Sequence, residues 1–106
     1  MPLRYTRGFR SALHRSDHFT AHGARLGVAT DSEYEAFADA VFGPAESSTR
    51  QFIRPWSGDL VRYDEAREGF GIMDRDGFIK TCYRPDPLIH GAATNLHYYL
   101  SEEAKA

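Results

Sequence analysis

Three histidines, His14, His18 and His22, recur at every fourth residue of the segment LHRSDHFTAHG. That spacing lines them along one face of a helix. Histidine accepts and donates protons near neutral pH, so this row offers a general base or acid. The same spacing suits zinc, but no cysteine stands nearby and no H-E-x-x-H pattern accompanies it, so neither a metal nor any other cofactor is expected. The plainer alternative is a set of ordinary polar residues near a helix end. His90 and His97 stand alone and enter no constellation.

Cations form the second group. Arg50, Arg54, Arg62, Lys80 and Arg84 fall in or beside segments that read as strands. Period-two alternation puts Lys80 and Arg84 on one face with Phe78 and Cys82, and Thr81 and Tyr83 on the other with Ile79. Arg, Lys, Thr and Tyr gathered around a histidine is what metal-free phosphodiester cleavage requires: a base, cations for the charge growing on phosphorus, and an acid for the leaving oxygen. RNA supplies its own nucleophile, the 2′-hydroxyl. The alternative is a sheet face dressed with polar residues for solubility and edge protection. Trp56, Tyr63 and Tyr83 are candidates to stack bases, or to fill a core that a small domain needs. Asp64, Asp74 and Asp76 fall at turns, where Asp bonds its own backbone, and are assigned no catalysis. No phosphate-binding glycine loop, Ser-His-Asp ordering or Cys-His pairing is present.

Elements to position these groups are legible. Residues 13–23 read as a helix with Gly23 as its stop. Thr30 and Glu33 form a capping box ahead of Tyr34, Phe37, Ala38, Val41 and Phe42, which repeat at helical spacing until Gly43-Pro44. Short runs rich in Phe, Ile, Val and Tyr then recur between turn residues, giving strands at 51–56, 60–64, 69–74 and 78–84. The Asp76-Gly77 step is the sharpest hairpin signal. Pro85 and Pro87 close the last strand, and the tail holds a final helix around Leu96, Tyr99 and Leu100.

The sequence therefore predicts one α+β domain over residues 1–106, with a core of about 13–86 and a tail of 87–106, in which a helical half precedes an antiparallel one. A length of 106 residues suits a single core and a single site. Seven Phe, six Tyr and Trp56 supply that core without disulfides, and the lone Cys82 forms no internal bridge. No window reaches the length of a membrane span, and Met1-Pro2-Leu3-Arg4 lacks the apolar stretch of a secretory signal, so a soluble, cytosolic protein is expected. Thirteen Lys and Arg against fifteen Asp and Glu, net −2, argue against a surface that tracks a phosphate backbone throughout and leave room for a local basic site. Eleven of the thirteen cations are Arg, whose planar fork suits phosphate, although a genome rich in Arg codons gives the same count.

In chain order, HFTAHGARLGVATDSEYEAFADAVF and GDLVRYDEAREGFGIMDRDGFIKTCYRP present an F-x-x-H-G helix, a Y-x-x-x-A helix, a G-D-x-V-R-Y-D strand, a G-F-G strand, D-G-x-I-K-T and a terminal R-P. This order, over roughly residues 17–85, resembles the C-terminal toxin domains of bacterial contact-dependent and polymorphic toxin systems and related phage-encoded domains, the group uniting barnase, EndoU, colicin-type tRNases and RelE. The resemblance implies two N-terminal helices packed on a four-stranded antiparallel sheet. It also implies metal-free RNA cleavage, often in a tRNA, to a 2′,3′-cyclic phosphate. By position, His22 becomes the general base or acid, Lys80 and Arg62 stabilise the phosphorane, and Thr81 bonds a phosphate oxygen; His18, Arg54, Tyr83 and Arg84 become substrate contacts. The implied partners are RNA and a cognate immunity protein, and the implied place of action is the cytosol of a target cell. A non-catalytic RNA-binding or protein-interaction module on the same sheet is the alternative.

Overall fold

The computed structural model describes residues 3–105. Helix α1 (Ala12–Leu26) opens where the Ser11 side chain accepts a hydrogen bond from the His14 amide. It runs through Gly23, the expected stop, and ends at Gly27, which takes the left-handed φ of 77° and donates its amide to the Ala24 carbonyl. Gly23 instead lies buried against the Phe19 ring, at a distance a Cβ would not tolerate, so packing explains it better than termination. Helix α2 (Asp31–Val41) is capped as expected at Thr30, whose Oγ1 accepts from the Glu33 amide, while the Glu33 carboxylate reaches back one residue beyond the cap, to the Ala29 amide.

Strands β1 (Thr49–Ile53), β2 (Leu60–Asp64), β3 (Gly69–Met73) and β4 (Ile79–Tyr83) form an antiparallel meander in chain order. β1 starts earlier than the sequence suggests and stops before Arg54-Pro55, because Pro55 has no amide to give a ladder. The Ser57 and Gly58 amides turn back onto the Arg54 carbonyl. The turn aspartates act as expected. Asp74 receives the Asp76 and Phe78 amides, and Asp64 those of Ala66 and Arg67. A short α3 (Pro87–His90) and α4 (Asn95–Ala104) complete the chain.

The result is the α+β architecture expected, with a helix layer on each face of the sheet. On one face α1 and α2 enclose Leu26, Tyr34, Ala38, Val41, Phe42, Ile79 and Cys82. On the other, α4 lays the fully buried Tyr99 over Val61, Tyr63, Phe70 and Ile72. Each such large side chain taken from water contributes about 1.5–3 kcal/mol before entropy.

One feature corrects the simple alternation read for residues 78–84. The β3–β4 register shifts at Ile72/Met73, so Met73 opposes Ile79 while Ile72 opposes Thr81, leaving Lys80 as the extra residue of a bulge. Ile79 therefore joins the cluster containing Cys82, not the face of Thr81 and Tyr83. The edge of β4 is also covered. Phe9 forms a parallel bridge with Ile79, and the buried Tyr34 hydroxyl donates to the Cys82 carbonyl and accepts from its amide. The covering segment is pinned from α2. The buried Asp39 carboxylate accepts the amides of Arg4, Tyr5 and Thr6 and the Thr6 hydroxyl, and Glu35 accepts the Phe9 amide.

Candidate active site

Helix α1 crosses the edge of β4 with its histidine row toward the strand. Neighbouring rings along it lie close, His14 to His18 at 4.6 Å and His18 to His22 at 5.7 Å between centroids, and Phe9 packs against the first two. His18 Nδ1 lies 3.0 Å from Thr81 Oγ1. One turn further on, the His22 ring sits 5.4 Å from that of Tyr83. Residues four apart on a helix thus meet residues two apart on a strand, since the two rises, about 6 Å and 6.6 Å, nearly match.

Burial lowers the His18 pKa, and the neighbouring His14 and His22 lower it further. Burial also lowers that of His22. Both imidazoles are therefore held neutral at neutral pH, the form that accepts a proton. Tyr83 shares a hydrogen bond of 2.9 Å with the Tyr98 hydroxyl, and burial followed by that bond pushes its pKa up, so it remains a phenol. Burial drives the Cys82 thiol up to about 12, which removes it as a nucleophile.

The remaining expected residues are distributed unevenly. Lys80 stands beside Thr81 in the chain, but its Nζ meets the buried Asp59 carboxylate at 2.9 Å, with Arg54 at 3.8 Å from the same oxygen. Neither of these two cations hydrogen-bonds or ion-pairs with His22, both being turned to Asp59. Arg84 lies at the end of β4 with its guanidinium donating to the carbonyls of Arg25, Arg67 and Glu68. Arg62 departs most from expectation. It is buried beneath the end of α2, donating to the carbonyls of Val41 and Gly43 and to Gln51 Oε1. Its role is to satisfy the helix terminus, and it takes no part in the histidine row.

Sequence reading passed over His90. The structure sets it in a cleft of about 350 Å³ that His22 and Tyr83 also line, stacked on Tyr98 at 4.6 Å. A sequence separation of 68 residues (90 − 22) hid this pairing. Among the described residues no three His, Cys, Asp or Glu side chains gather as metal ligands, and no helix is long and apolar enough to cross a membrane. No family model and no curated protein matches the chain. Because one fold hosts many chemistries, function has to be argued from these side chains.

Proposed function

We propose that the protein is a metal-independent endoribonuclease of the toxin type. The observation that carries this reading is the laying of two neutral histidines onto β4, His18 against Thr81 and His22 against Tyr83. One of these takes the proton of a ribose 2′-hydroxyl; the O2′–P bond forms, the P–O5′ bond breaks, and the leaving oxygen takes a proton back from the same row. Thr81 orients its histidine and bonds a phosphate oxygen. Lys80 and Arg54, gathered at Asp59, and Arg84 are the cations that this reading assigns to a phosphate. RNA, with a tRNA as one form of it, and a covering immunity protein are the partners of this reading, and a target cell's cytosol is its place of action.

One observation favours the second reading, a non-catalytic RNA-binding or protein-interaction module: Lys80, the expected phosphorane cation, is already neutralised by a buried carboxylate. The deciding experiment incubates the protein and its His18→Ala, His22→Ala and Lys80→Ala variants with total bacterial RNA in EDTA. Fragments ending in 2′,3′-cyclic phosphate, reduced about a hundredfold or more in the histidine variants, support the nuclease. Intact RNA with retained binding supports the module.

A further inference from the structure

The cleft that shares His22 with the histidine row is built differently from the row. Its walls are two aromatic pairs, His22 with Tyr83 at 5.4 Å and 34°, and His90 with Tyr98 at 4.6 Å and 29°, joined by the hydrogen bond between the two tyrosine hydroxyls. The two tyrosine hydroxyls are spent on each other, and the His90 nitrogens on residues outside the walls. His90 Nδ1 accepts from the Ala92 amide and Nε2 faces Asn95 Oδ1, so both ring nitrogens are engaged. It offers the cleft a ring, and no proton transfer. Ile89 completes an apolar lining, while the ion pair of Arg25 and Asp86 stands at the lip.

Flat aromatic walls and an apolar floor favour a planar ring, which gains from stacking as well as from burial. A volume of about 350 Å³ lies at the lower end of small-molecule sites and is room for one nucleoside. Arg25 and Asp86 are engaged with each other, with the Arg84 and Pro85 carbonyls and with the Leu88 amide, so a base is held by its stacked face. We propose that this cleft is a nucleobase subsite, which stacks one unpaired base of RNA and thereby sets which phosphodiester reaches His22. The inference rests on the nuclease reading for its last step, and on the cleft alone for base binding.

The test follows the ring signals of histidine and tyrosine by NMR while nucleoside monophosphates are added, with ribose 5-phosphate as the base-free control. Ala21→Phe fills the cleft from an exposed position of α1 and removes no buried contact. Saturable shifts of His22, Tyr83, Tyr98 and His90 with nucleotides, absent with ribose 5-phosphate and weakened about tenfold or more in Ala21→Phe, are the expected result. Equal shifts with ribose 5-phosphate, or none in the cleft, overturn it. Cleavage of RNA is measured on the same samples: base binding without cleavage removes the nuclease reading and leaves the subsite, whereas cleavage unchanged in Ala21→Phe without base shifts does the reverse.

Discussion

His18 Nδ1 and Thr81 Oγ1, 63 residues apart in the chain, lie 3.0 Å from each other. This single contact fixes which way the middle imidazole of the row points, because a ring hydrogen-bonded at one nitrogen presents the other in a defined direction. Thr81→Val keeps the shape of the side chain and removes the hydroxyl. We expect it to lower RNA cleavage about ten- to a hundredfold, with Thr81→Ser close to the parent, in single-turnover assays under EDTA. The urea midpoint should move little in either variant.

The histidine row should also make stability, and with it the proposed cleavage, depend on pH. His18 and His22 have folded pKa values below the ordinary value near 6.5, so between those values the unfolded chain binds more protons. Their neutral form thus favours folding fully above about pH 6.5, and this contribution is lost as pH falls through the depressed folded values. The urea midpoint should drop from pH 7.5 to pH 5, less so in a His18→Phe, His22→Phe double variant. Cleavage should lose its base on an acidic limb lying below pH 6.5. His14→Ala removes one repelling charge and should move the His18 titration upward, as read from its Cε1 proton by NMR.

Arg62 separates stability from chemistry. Its removal orphans two carbonyls at the end of α2 and the Gln51 side chain, at a cost of about 2–4 kcal/mol. Arg62→Ala should therefore unfold at markedly lower urea while cleaving RNA at the parental rate per folded molecule. A loss of activity beyond the folded fraction would restore the catalytic role read from the sequence.

Asp39 should behave as a remote support of the same site. It gathers three consecutive amides and a hydroxyl from the segment that ends in Phe9, and Phe9 packs against His14 and His18. Asp39→Ala should cost about 2–4 kcal/mol. Hydrogen exchange at Arg4, Tyr5 and Thr6 should rise toward the unprotected rate.

Much of the fold was legible because its signals are local. Thr30 and Glu33 announce α2 within four residues, and Asp76-Gly77 announces a hairpin within two. What was hidden depends on partners far away in sequence. The glycine that ends α1 is Gly27, because Gly23 answers to Phe19; the bulge at Lys80 depends on how β3 lies beside β4; Arg62 looks like a phosphate ligand until the end of α2 is seen above it. The site divides in the same way. Helical periodicity gives the histidine row, but only the assembled sheet selects His18 for Thr81 and His22 for Tyr83, and only α3 carries His90 to the cleft.

The meander has a bearing on how the protein is made. Every strand pairs with its neighbour in the chain, so the hairpins close over short loops and at little entropic cost. The contacts that unite the histidines with β4 close over far longer stretches, and α1 leaves the ribosome well before its strand. The histidine row and β4 accordingly exist for most of translation as two separated halves and come together only once β4 has been synthesised.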